Sequence, residues 1–195
     1  MRPLQIRPAE ARDCPEIMRL IKELATCDNK RGVTNLTIAG LDPYCPPRLQ
    51  KYGFLPPLLS GMENCRDLLR DGFGDNPLFY CLIAEVYNSR KPSGRTAVGF
   101  AIYYFKYTLW TGKLLYLEDF YVIKAYQGLG IGDEMLKRLS QIALRTQCKG
   151  MHFLVVIWNR ASAEYYCRRG ASDISSEEGR HLFKFTYAQL TEIAK

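Results

Sequence analysis

Apolar positions recur along this chain with two periods, and the switches between them mark out its elements. Leu4-Gln5-Ile6-Arg7 alternates and then meets Pro8, the pattern of a short strand that stops. From Asp13 the spacing turns helical. Ile17, Leu20, Ile21 and Leu24 share a face, Asp13 is a good N-cap, and Glu16 three residues on completes a capping box. Residues 63–70 suit a short helix ended by Asp71-Gly72-Phe73-Gly74. Strand-like runs follow over 79–86, 96–105 and 113–123, with turn residues Asn88, Pro92, Ser93 and Gly94 between the first two. Over 130–147 the period is helical again, with Ile131, Met135, Leu139, Ile142 and Ala143 on one face and Lys149-Gly150 as the stop. A buried strand over 151–157, a helix over about 161–169 closed by Gly170, and a strand near 181–185 complete the series. Strands on both sides of two helices, with one β-α-β passage, predict a mixed α/β fold: a mostly antiparallel central sheet flanked by helices.

One stretch breaks the pattern. Residues 29–62 hold Pro43, Pro46, Pro47, Pro56 and Pro57 with Gly32, Gly40, Gly53 and Gly61, and no apolar period survives two turns. This is long for a loop and reads as an irregular insertion. With 195 residues, 47% hydrophobic, the chain has material for one domain over 1–195 that carries this insertion. The opening residues hold no signal-peptide apolar region, and the longest apolar run, Phe153-Leu154-Val155-Val156-Ile157-Trp158, falls far short of the roughly 20 residues that span a bilayer. A soluble, cytoplasmic protein without a membrane partner is expected. Seven scattered cysteines with no C-x-x-C pair argue against a disulfide framework or a metal site. The net charge of +7 comes from Lys and Arg spread without a run of five, which favours an anion-tolerant surface over a nucleic-acid groove.

Chemistry concentrates between Leu114 and Gly132, where a strand runs into a glycine-rich turn that opens an amphipathic helix. Gly128, Gly130 and Gly132 leave backbone N–H groups uncovered at the positive end of the helix dipole, which suits a pyrophosphate. The plainer alternative is a tight turn whose glycines serve chain geometry. A Rossmann fingerprint needs glycine at position 133, which is Asp133, and a P-loop needs Gly-Lys-Ser/Thr, which is absent.

The pattern Q/R-x-x-G-x-G/A, here Gln127-Gly128-Leu129-Gly130-Ile131-Gly132 after a strand ending in Val122, resembles the acetyl-coenzyme A loop of the GNAT superfamily of N-acetyltransferases. Leu115-Tyr116-Leu117-Glu118-Asp119-Phe120, Met151-His152-Phe153-Leu154-Val155, Trp158-Asn159, Arg168-Arg169-Gly170-Ala171-Ser172-Asp173 and Ser175-Ser176-Glu177-Glu178-Gly179 resemble the spermidine/spermine N-acetyltransferase group, most closely its "like" branch. The resemblance covers residues 4–28 and 64–188. It implies the GNAT-like acyl-CoA N-acyltransferase fold and direct transfer of acetyl from acetyl-CoA to a primary amine of a polyamine such as spermidine or spermine. It also implies a homodimer.

Residue by residue, the resemblance gives the pyrophosphate to backbone amides of Gly128, Leu129, Gly130, Ile131, Gly132 and Asp133, the pantetheine arm to main-chain groups of Phe120, Tyr121 and Val122, and further cofactor contacts to Gln127, Asn159, Ser162 and Arg169. Tyr166 matches the general acid, a phenol with an ordinary pKa of about 10 that stays protonated at neutral pH. Tyr165 is its neighbour, and side chains one residue apart on a helix diverge by about 100°. The resemblance, not the period, selects Tyr166. Glu118 and Asp119 are adjacent in a strand, so their side chains are expected on opposite faces. The resemblance turns Glu118 to the substrate, to take a proton from the amine through water; a structural ion pair is the alternative. Cys27, Asp28 and Glu178 match acceptor contacts, with three departures. Cys27 replaces a tyrosine, Arg180 replaces a tryptophan, and Asn29-Lys30-Arg31 with the insertion replaces an acidic stretch. Two alternatives follow: a non-catalytic acyl-CoA-binding relative whose acceptor site the insertion disrupts, and an acetyltransferase for another amine such as thialysine.

Overall fold

The computed structural model describes residues 4–24, 65–155 and 159–174. The insertion at 29–62 and the strand expected near 181–185 lie outside the described residues. The chain forms two compact units, Met1–Leu154 and Val155–Lys195.

The first unit is built on a five-stranded sheet: β1 (Leu4–Pro8), β2 (Tyr80–Tyr87), β3 (Arg95–Thr108), β4 (Gly112–Val122) and β5 (Met151–Phe153), side by side in that order. Neighbours run antiparallel except β4 and β5, which are parallel. Helices α1 (residues 14–24), α2 (Cys65–Phe73) and α3 (Ile131–Arg145) accompany it. Alternation along the strands gives the sheet two apolar faces. Ile83, Phe100, Ile102 and Tyr121 pack with Ile17, Leu20 and Ile21 of α1 and Leu68 of α2. Leu82, Val98, Ala101, Leu115 and Leu117 pack with Ile131, Met135, Leu139 and Ala143 of α3, the stripe expected from the sequence. Gly99 sets how closely α3 approaches: a Cβ there would stand 2.8 Å from the Tyr121 carbonyl oxygen and 3.2 Å from the Met135 sulfur. The mixed α/β architecture with a mostly antiparallel sheet is therefore as the sequence predicts.

Three local expectations are corrected. The capping box lies three residues earlier than Asp13/Glu16: Glu10 and Asp13 form it around a 3-10 turn, Ala11–Asp13, and the Asp13 carboxylate accepts the Glu10 N–H at 2.8 Å. The cause is tertiary. Arg7 of β1 binds Asp13 at 2.6 and 2.9 Å and reaches Glu85 of β2 with its other donors. Burial would raise the pKa of Asp13, but hydrogen bonds from Arg7 and from the Glu10 backbone hold it below the usual carboxylate range. Glu16 turns instead to Lys91 and Arg19. Second, α2 continues through Gly72 to Phe73; the Phe79 ring lies 2.5 Å from where a Cβ at Gly72 would project, so this glycine makes room for packing and does not stop the helix. Third, the buried strand expected over 151–157 is short and half-buried, Met151–Phe153, with Leu154 exposed; residues 156–158 lie outside the described residues.

The reason for the short β5 lies in β4. Ile102 pairs with Asp119 while its neighbour Tyr103 pairs with Leu117, so Glu118 is an extra residue, a β-bulge. Parallel pairing with β5 runs from Leu115 opposite Met151 to Leu117 opposite Phe153 and ends at that bulge, where an inserted residue puts the ladder out of step.

Candidate active site

The glycine turn lies between the end of β4 and α3, after a short 3-10 turn, Lys124–Tyr126. Gly128 and Gly130 have φ of 78° and 80°, the left-handed region that side chains disfavour. Gly130 is the N-cap of α3, and the first helical rung is Glu134 N–H to Gly130 C=O at 3.1 Å. Among the described residues, no atom beyond their chain neighbours lies within 4 Å of the place a Cβ would take at Gly128 or Gly130. The turn is thus strained for any other residue and open above its backbone, and it leads into the positive end of a 15-residue helix. A diphosphate group fits that cradle. Leu129 projects outward, Ile131 is buried against the sheet, and Gly132 and Asp133 belong to the first helical turn.

Gln127 has a part not foreseen. Its side-chain amide donates to the Val122 carbonyl at 2.8 Å, tying the start of the glycine turn to the last residue of β4. Phe120 and Val122 point to the α3 side of the sheet and Tyr121 to the other, where its hydroxyl donates to Glu23 at 3.2 Å.

The bulge changes the geometry expected for the two carboxylates. Asp119 is opposite Ile102, a residue of the α1/α2 face, and cross-strand partners share a face. Glu118 lies two residues beyond Tyr116 and beside Tyr104, which packs on that same face. Both carboxylates therefore point to one side, Asp119 buried and Glu118 exposed, because the extra residue cancels one step of alternation. Tyr104 and Tyr116, register partners across β3 and β4, stack beside Glu118 with ring centroids 5.1 Å apart and planes at 29°. Burial first, then the Glu118 charge, pushes up the pKa of both phenols. Sequence reasoning missed this pair. Its signal is the Tyr104/Tyr116 register, which requires the hairpin pairing to be known. His152 of β5 is the register partner of Tyr116 on the other side.

The second unit holds α4 (Arg160–Cys167). Asn159 is its N-cap, accepting the Ser162 N–H on its side-chain oxygen at 3.3 Å, and Gly170 N–H closes the other end on Cys167 C=O. Tyr165 and Tyr166 meet edge to face, centroids 5.1 Å apart. The two rings differ in surroundings. The Arg169 guanidinium lies 3.7 Å from the Tyr165 ring centre and donates to the Tyr165 carbonyl at 2.9 Å. Burial pushes the Tyr166 phenol up to about 12, so its proton is held firmly at neutral pH. Cys27, Asp28, Glu178 and Arg180 lie outside the described residues.

The first unit thus holds an open anion cradle at a helix start and a carboxylate on a bulge, and the second unit, taken by itself, holds a protonated phenol. Comparison with known proteins identifies the family. The Acetyltransferase (GNAT) family model matches residues 54–171. The chain is 61% identical over 190 residues to spermidine/spermine N(1)-acetyltransferase-like protein 1 of Homo sapiens, covering 97% of this chain and 24% of that protein. It is 34% identical to thialysine N-epsilon-acetyltransferase of Sus scrofa, covering 97% of this chain and 96% of the relative. The fold is shared with an integron cassette protein from the mobile metagenome of V. cholerae, at a TM-score of 0.65 and 18% identity over 98% of both chains. Family model, relatives and fold agree, and the chain belongs to the GNAT family of acetyltransferases.

Proposed function

We propose that this chain transfers an acetyl group to a primary amine of a small polyamine, with Tyr166 as proton donor and Glu118 as the carboxylate that draws a proton from the incoming ammonium. Acetyl-CoA, the acetyl donor of the family, supplies the activated thioester. The single observation that carries the reading is the glycine turn, open above Gly128 and Gly130 at the start of α3. Backbone N–H groups from Gly128 to Asp133 hold the diphosphate, and main-chain groups of Phe120, Tyr121 and Val122 line the arm that leads to the thioester. Asn159, Ser162 and Arg169 are the further cofactor contacts that the family resemblance implies.

Chemistry then needs a neutral amine and a proton for the departing sulfur. Glu118 is exposed on the bulge, so it meets a solvated ammonium without the cost of burying a charge. Tyr166, with its phenol raised to about 12 by burial, is a donor and not a base throughout the physiological range. Cys27, Asp28 and Glu178 complete the acceptor site, and the protein works in the cytoplasm as a homodimer. The name of the human relative at 61% identity supports a polyamine acceptor. A thialysine acceptor is the second reading, favoured by relatives matched over 96% of their length.

Purified protein given acetyl-CoA and a panel of spermidine, spermine, thialysine and a short monoamine tests both. Acetylated spermidine or spermine is the expected main product. Product from thialysine alone selects the second reading, and acetyl-CoA binding with no amine acetylated means that the chain is a non-catalytic relative.

A further inference from the structure

On the α1/α2 face of the β3–β4 hairpin, three chemistries follow one another. Glu118 supplies a negative charge, the stacked Tyr104 and Tyr116 supply aromatic faces, and Lys106 supplies an alkylammonium 5.7 Å from the Tyr116 ring centre. Lys106 follows Tyr104 by two residues on β3, so alternation sends both side chains the same way. An ammonium within about 6 Å of a ring centroid is attracted by the ring quadrupole, and at an exposed position that attraction is weak. Lys106 is exposed, so it can be displaced at little cost.

We propose that the Tyr104–Tyr116 ring pair is a second cation seat beside Glu118, taking the ammonium that an acceptor carries beyond its reacting nitrogen, and that Lys106 fills this seat while no acceptor is bound. This rests on the amine-transfer reading above and deepens it. An acceptor with one amine needs only Glu118 and is indifferent to Lys106. A diamine has to displace Lys106 and then gains the ring faces. Lys106 is thus a specificity residue: it raises the concentration at which multiply charged acceptors bind and leaves the acetyl step untouched.

The test is a steady-state comparison of a diamine and a monoamine acceptor. Lys106→Gln is expected to lower KM for the diamine about two- to fivefold, the range of an exposed cation–π contact, with kcat and the monoamine KM unchanged. Tyr116→Leu removes the seat and cancels that gain in the double variant, whereas Tyr116→Phe keeps it. Lys113→Gln is the matched control. Lys113 lies 4.2 Å from the ring centre of Phe105, which packs on the α3 side of the same hairpin, and its loss should not favour the diamine. An equal change for both acceptors in Lys106→Gln, or the same diamine gain in Lys113→Gln, would mean a general field effect and overturn the seat. If no amine is turned over, the transferase reading fails by itself. Calorimetry of the diamine against the original chain and Lys106→Gln then decides the seat: tighter binding by the variant supports it, and equal binding refutes it.

Discussion

The glycine turn begins ten residues after Glu118 on the bulge of β4, and in the proposed reaction the two work through different atoms. At the turn the backbone acts: Gly128 and Gly130 contribute positive φ and bare N–H groups, and what matters is that no side chain is present. At the bulge the side chain acts, and one inserted residue decides where Glu118 points. The turn is expected to be more sensitive to a Cβ at Gly128 or Gly130 than to changes in neighbouring side chains. The bulge tolerates changes of size and fails on any change of register. The proton donor proposed on α4 belongs with the bulge, since the Tyr166 phenol is useful only as a side chain in its surroundings.

The comparison can be broken by substitutions that separate the two kinds of site. Tyr166→Phe removes one hydroxyl and should lower kcat about 10²–10⁴-fold, the usual range for losing a general acid, with acetyl-CoA KM nearly unchanged. Tyr165→Phe, one residue away with Arg169 against its ring, should retain most activity; equal losses in both would remove the assignment of Tyr166. Gly130→Ala acts on the backbone site. A left-handed residue with a Cβ costs about 1–2 kcal/mol, so acetyl-CoA KM should rise roughly tenfold while kcat at saturation holds, read from initial rates at varied acetyl-CoA.

Smaller effects sharpen the contrast. Gln127→Ala cuts the tie to the Val122 carbonyl, a bond worth about 0.5–1.5 kcal/mol, and should lower Tm by a few degrees by calorimetry and raise acetyl-CoA KM several-fold. The smallest expected effect is an absence. Burial raises the Tyr166 pKa, so the active, protonated form persists to higher pH, and at pH 10 a phenol of pKa about 12 is only about 1% ionised. The kcat profile should therefore show no fall assignable to Tyr166 between pH 7 and 10. A descending limb there that vanishes in Tyr166→Phe would contradict the assignment.

The two regions also differ in how far they could be read from sequence. A positive φ demands glycine whatever the tertiary surroundings, so Gly128 and Gly130 announced the turn and the α3 stripe announced its helix. The register of β3 on β4 depends on how two distant segments pair, and no local pattern reports the insertion of Glu118, the shared face of Glu118 and Asp119, or the Tyr104–Tyr116 stack. Local spacing misplaces the capping box for a related reason. Arg7, brought in by β1, claims the Asp13 carboxylate, a contact that local spacing does not contain. Gln127 illustrates both limits: its place in the motif was legible, and its hydrogen bond to β4 was not.

The central claim is that main-chain groups at the start of α3 grip the diphosphate of acetyl-CoA, and amide hydrogen exchange with and without that molecule tests it most directly. Protection should rise at the amides of 128–133, where the chain is open above Gly128 and Gly130, and in Gly130→Ala the same rise should need about tenfold more acetyl-CoA. Saturating acetyl-CoA that protects another segment and leaves 128–133 unchanged would contradict the account.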